Sequence, residues 1–206
     1  MRKSFGLAAA LSFAMLASAS MVQASTVFAF SGPEGPTETT NLGTTEQYMM
    51  GGITLDVTAT GGNINRNSAG IGVDGPVNQN ILGPGEALDL MVSTTVSLLE
   101  ALIFERQDGT DTVKITNLGD SSFAMVDVTN NNGSSSFFDV EIADLVGLTA
   151  LGNAFRFEVT GSTGDVNRQG VRLSSVTVAA VPLPAAGFLL LGALGGLGLI
   201  RRRGQS

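Results

Sequence analysis

The chain has 206 residues, no Cys, His or Trp, and one Tyr, Tyr48. Disulfides, thiol nucleophiles, imidazole bases and Cys/His zinc sites are therefore excluded. The formal charge of −7, from 11 basic and 18 acidic residues, argues against a nucleic-acid partner, because phosphate binding needs clustered Lys and Arg.

Charge placement is more informative than the total. Arg2 and Lys3 open the chain, Arg201, Arg202 and Arg203 nearly close it, and every acidic residue lies between Glu34 and Asp165. Both basic ends adjoin long apolar runs, the signature of addressing segments rather than of a folded core.

At the N-terminus, Arg2-Lys3 forms a positive n-region and Leu7 to Leu16 an apolar h-region. Val22-Gln23-Ala24 then offers small side chains at the positions a signal peptidase pocket must accept. Residues 1–24 are expected to be a signal peptide cut between Ala24 and Ser25, with signal peptidase as the first partner. Export without cysteines leaves stability to core packing.

The expected mature middle, residues 25–180, carries 6 basic and 18 acidic side chains, a charge of −12. Residues 25–45 are expected to be a mobile N-terminal arm, since Ser31 to Thr45 is rich in Gly, Pro, Thr and Glu and has little to bury. Residues 46–180 should be one domain. Its dominant period is two: Ile53, Leu55, Val57 and Ala59 alternate with Thr54, Asp56, Thr58 and Thr60, which is the pattern of a half-buried strand.

The same alternation continues through Leu88, Leu90 and Val92, then Val113 and Ile115, then Ala124, Val126 and Val128. It returns in Phe138, Val140 and Ile142, and in Phe155, Phe157 and Val159. The apolar run Leu98 to Phe104 reads as a central strand buried on both faces, with a short helix as the other choice. Val171 and Leu173 share one phase and Val176 and Val178 the other, so a bulge is expected at Ser174-Ser175. Helical signals are confined to short turns around Asp144 to Leu151. Eight or nine strands parted by Gly, Asn, Asp and Ser clusters predict an all-β fold, an antiparallel β-sandwich of jelly-roll type.

Chemistry in this middle is sparsely signalled. Eighteen carboxylates supply many pairs, and Glu100 and Glu105 flank an apolar run where burial could tune an acid. The plainer reading is surface charge, and the chain is expected not to be an enzyme. Sugar-stacking platforms usually need Trp or Tyr, which are nearly absent here. Oxygen ligands for Ca²⁺ occur in Asp108-Gly109-Thr110-Asp111, with Asp108 and Asp111 as the candidate ligands, and in Asn63-Ile64-Asn65. Turns account for both stretches equally well, so no cofactor is expected and calcium is kept as the one alternative.

The C-terminal segment, residues 181–206, has three parts. Val181-Pro182-Leu183-Pro184-Ala185 should be extended, because Pro182 and Pro184 fix φ and lack N–H groups while Val181 and Leu183 precede prolines. Ala185 to Ile200 carries no charge. As a helix it would span about 24 Å against a hydrocarbon core of roughly 30 Å. Arg201, Arg202 and Arg203 form the membrane stop, kept cytoplasmic by the positive-inside rule.

This composite tail, from Val181 to Arg203, resembles the PEP-CTERM class of bacterial sorting signals in its VPLPA variant. The resemblance implies recognition by an exosortase, a multi-pass membrane transpeptidase that cuts at the motif, so that the nucleophile belongs to the partner and this chain is substrate. The stretch Gly70 to Asp74 with Asn80-Ile81 and Gly85 to Leu90 loosely resembles exported domains carrying such tails. The implied location is a precursor anchored in the inner membrane through its C-terminal helix, then the cell surface or extracellular matrix of a Gram-negative bacterium. The expected function is that of a non-enzymatic surface or matrix protein. The alternative is a carbohydrate-binding or calcium-dependent adhesion module with the same tail and an extracellular polysaccharide as partner.

Overall fold

The computed structural model describes residues 24–32, 40–75, 81–105, 109–130, 135–163 and 170–181. One compact unit runs from Ala24 to Ala180. Its strands in chain order are β1 (Ser25–Ala29), β2 (Thr40–Asn41), β3 (Thr45–Met50), β4 (Ile53–Thr60), β5 (Asn63–Asn67) and β6 (Gly70–Asp74). They continue with β7 (Ala87–Glu105), β8 (Gly109–Asn117), β9 (Phe123–Asn130), β10 (Ser136–Glu141), β11 (Leu151–Ser162) and β12 (Val171–Ala180). A 3-10 turn, Ile142–Asp144, lies between β10 and β11. The fold is all-β and sandwich-like, and among the described residues every pairing between these strands is antiparallel.

The 19-residue β7 organises the molecule. Its first half pairs with β4 on one side and β11 on the other, and β11 leads on to β8 and β9. Its second half pairs with β12 and β10, and the far side of β12 carries β1 and, at Leu173, β6. One long strand thus serves two sets of neighbours. The sequence divides it into two strands because Ser93-Thr94-Thr95 is polar and exposed.

Alternation along β7 fills one core. Leu88, Leu90, Val92, Val96 and Leu98 point inward, then Ala101 and Ile103. The change of phase is a bulge at Leu99, where Thr177 faces Glu100 but Val178 faces Leu98. The run Leu98 to Phe104 is therefore a strand, as expected, but it is not buried on both faces: Leu99 is 40% exposed. On β12 the expected bulge is present, since Leu173 pairs with Ile103 and Ser175 with Leu102, leaving Ser174 as the extra residue. It returns Val171, Leu173, Val176 and Val178 to the same interior.

Turn chemistry follows the sequence. Met50 pairs with Ile53 across Gly51-Gly52, whose φ values of 58° and 77° are the two left-handed positions of a type I′ hairpin. Between β8 and β9, buried Asn117 accepts from Gly119 N–H at 2.9 Å and donates to the carbonyls of Thr149 and Leu151 at 2.9 and 2.8 Å. One amide thereby closes a turn and ties it to the approach to β11.

Two expectations are corrected. Residues 25–45 are not wholly an arm: β1 and β2 lie in the sheet, β3 starts at Thr45, and Phe28 and Phe30 are buried. The ring of Phe30 meets Tyr48 edge-on at 5.0 Å, a contact that anchors the chain just beyond β1. Asn63-Ile64-Asn65 is neither turn nor open ligand loop but part of β5, with Ile64 and Asn65 buried. Among the described residues no helix is long and apolar enough to cross a membrane, and the expected span Ala185 to Ile200 lies outside them.

Candidate functional site

The face of β3-β4-β7-β11-β8-β9 that points away from the core gathers the polar members of each alternating strand. Register places them in rows. Thr45, Thr58, Asp89, Arg156, Thr116 and Phe123 follow one another across the sheet. Beside this row, Glu158 pairs with Lys114, and Lys114 with Met125.

The carboxylates on this face are already engaged. Arg156 donates twice to Asp89, from Nε at 2.6 Å and from the second terminal nitrogen at 2.7 Å. Lys114 Nζ lies 2.8 Å from Glu158 Oε1 and 5.0 Å from the Phe123 ring centre. Gln47 donates to Asp56 at 2.6 Å and Thr112 to Asp127 at 2.7 Å. The hydrogen bond to Asp89 strengthens the hold of Arg156 on its proton, with the Asp89 charge adding to it. Phe123, Met125 and Met91 are roughly half exposed among these pairs. A shallow depression at one side is lined by Thr45, Glu46, Gln47, Asp56 and Thr58. The surface offers hydrogen-bonding groups held in fixed positions with small apolar patches between them, suited to contact along a flat ligand.

Glu100 and Glu105 do not share a cleft. Five residues apart on β7, they fall on opposite faces: Glu105 is buried, whereas Glu100 is partly exposed and opposite Glu141 of β10. Like charges in that position repel, and Glu100 and Glu105 cannot act together as a pair from opposite faces of the strand.

Of the two candidate calcium ligands, Asp108 lies outside the described residues. Asp111 is buried, in phase with Val113 and Ile115. Its Oδ2 accepts from Gly170 N–H at 2.9 Å, and its Oδ1 has no hydrogen-bond partner. Among the described residues no three acidic side chains come together as a metal cage. Asp111 is thus seen joining the start of β8 to the approach to β12.

A third buried carboxylate escaped sequence reasoning. Glu86, 4% exposed, accepts from Gly83 N–H at 2.7 Å through Oε2, while Oε1 has no partner. Burial pushes its carboxyl above the usual range, the Gly83 bond opposes this, and the nearby Asp74 charge adds to the rise. No local sequence signal marks it: Gly61 and Gly75, whose lack of side chains makes room for it, lie far from it along the chain.

At the position where signal-peptidase cleavage is expected, Ala24 is exposed and Ser25 begins β1. Val181 is 38% exposed directly after β12. Pro182, Leu183, Pro184 and Ala185, like Arg201, Arg202 and Arg203, lie outside the described residues.

No protein-family model matches the chain, and no curated protein matches it. Among solved structures, two mutants of CBM29-2, studied for ligand recognition by family 29 carbohydrate binding modules, are similar at 12% identity. They cover 76% of this chain and 89% and 83% of their own, with TM-scores of 0.30 and 0.31. A likeness of that size carries no argument about ligand or activity.

Proposed function

We propose that this chain is an exported, non-enzymatic surface or extracellular-matrix protein, delivered by a signal peptide and processed by an exosortase at Val181 to Ala185. The observation that carries the reading is the composite tail: a proline-stiffened pentapeptide, an uncharged apolar stretch and three arginines in direct succession. Each part has its own physical task, namely presentation to a groove, retention in lipid and arrest at the cytoplasmic side. The sandwich ending at Ala180 supports it, because the tail then begins where the fold stops. In this reading the sandwich is of the jelly-roll kind and the inner-membrane precursor is held by Ala185 to Ile200.

The test is deletion of residues 181–185 from the full chain in a host that holds a matching exosortase. The deleted form should stay in the membrane fraction at precursor size. Release to the surface at unchanged size would overturn the reading.

A second reading concerns what the exported domain does there. The row Asp89-Arg156-Thr116-Phe123, flanked by exposed Met91 and Met125, favours contact with extracellular polysaccharide. Sugars present hydroxyls to fixed polar groups and C–H faces to apolar ones, and a sheet surface supplies both without a pocket. Reproducible binding of the purified mature chain on a glycan array supports this module, and a blank array leaves a structural matrix role.

A further inference from the structure

The strand that leads into the sorting motif is covered on both edges as far as Ala179, one residue short of the motif. Ala179 pairs with Ser97 of β7 on one side and with Ser25 of β1 on the other, and Ala180 pairs with Val96. Val181, the first motif residue, follows with no spacer. An enzyme that binds its substrate extended needs free backbone N–H and C=O groups on the chain leading into the motif, as strand-addition recognition requires. From Ser175 to Ala179 those groups are taken by sheet partners.

The two covers are unequal. β7 lies at the centre of the fold, with partners along both of its edges. β1 has five residues and, among the described residues, pairs with β12 alone. Within its five residues the one core side chain is Phe28, while Val27 is 48% exposed; buried Phe30, whose N–H donates to Ser174 O at 2.8 Å, holds the chain just beyond it, so β1 opens from its Ser25 end. Short edge strands are what sheets release first.

We propose that β1 is a removable cover on the edge of β12, and that the processing enzyme docks by pairing with the edge that β1 vacates. The proposal rests on the exosortase reading and adds to it a place of contact, Ser175 to Ala180, outside the pentapeptide. It also makes the new N-terminus left by signal peptidase a neighbour of the second cut, since Ser25 and Ala179 are partners across the sheet. Release of β1 then sets the rate at which the folded precursor is processed.

The chain has no cysteine, so one added pair reports cleanly. Val27 and Thr177 are antiparallel partners, and Cα atoms of facing strand residues lie within the range a disulfide spans. The full chain carrying Val27→Cys and Thr177→Cys is expressed beside a matching exosortase, oxidised with diamide or kept reduced, and its C-terminus followed by mass. The cross-linked form should be cut at least about tenfold more slowly than the reduced form of the same variant. Phe28→Ala, which loosens β1, should be cut faster than wild type. Equal cutting of cross-linked and reduced forms, or failure of the two cysteines to join, would overturn the proposal. If the wild-type chain is itself never cut, the exosortase reading falls and takes this proposal with it, a result distinct from equal cutting.

Discussion

Arg156 on β11 grips Asp89 on β7 with two parallel hydrogen bonds of 2.6 and 2.7 Å, between residues in direct register. The side chains keep 36% and 20% of their exposure, so water screens the pair and its worth stays near the upper end for surface bridges, about 0.5–1 kcal/mol. A double-mutant cycle with Arg156→Gln and Asp89→Asn should return that coupling at low salt and a smaller one at about 1 M. Arg156→Lys should lose most of it, because an ammonium cannot form the fork. Zero coupling at low salt would contradict the geometry.

Glu86 sets a pH dependence with a definite sign. Its folded carboxyl holds a proton more tightly than the unfolded one, because burial outweighs the bond from Gly83. Between the ordinary carboxylate range and the raised value the folded state binds more protons, so stability falls as pH rises through that window. Glu86→Gln keeps an acceptor for Gly83 and removes the charge. It should flatten the slope and add about 1 kcal/mol near neutrality, read from denaturant midpoints across the acidic range.

Tyr48 is the only tyrosine, so absorbance titration sees it alone. Burial first, and the Glu46 charge second, push its hydroxyl up to about 12, with Arg66 opposing. The native chain should therefore ionise near that value and the unfolded chain near the ordinary 10. The raised value again means stability lost as pH climbs through the interval. Its neighbour Phe30, wholly buried, should cost about 3–5 kcal/mol when changed to Ala.

Asp111 separates a structural bond from a metal site. Asp111→Ala leaves the Gly170 N–H without its acceptor and should cost about 1–3 kcal/mol, whereas Asp111→Asn retains an acceptor and should cost less. The thermal midpoint of the mature chain should not move when a chelator is added. A midpoint that falls with chelator and returns with Ca²⁺ would support the calcium alternative.

Period-two alternation made much of the sheet legible. Ile53 to Ala59, Phe155 to Val159 and the phase change at Ser174 are each where the pattern puts them. The twelve strands among the described residues exceed the expected eight or nine because the extra ones are short or polar: β1 has one core side chain, β2 two residues, and β5 three asparagines. β7 was divided because exposed threonines interrupt its apolar pattern without interrupting its backbone pairing. The partners of Arg156 and Lys114 were illegible for a different reason, since Asp89 is 67 residues away in sequence and Glu158 is 44. Local patterning marks which face a side chain takes; register between distant strands decides whom it meets.

The most direct measurement is the C-terminal mass of the chain recovered from the cell surface. The account predicts an end within Val181 to Ala185 and no peptide from Arg201 to Ser206. An intact Ser206 terminus on that surface population would contradict it.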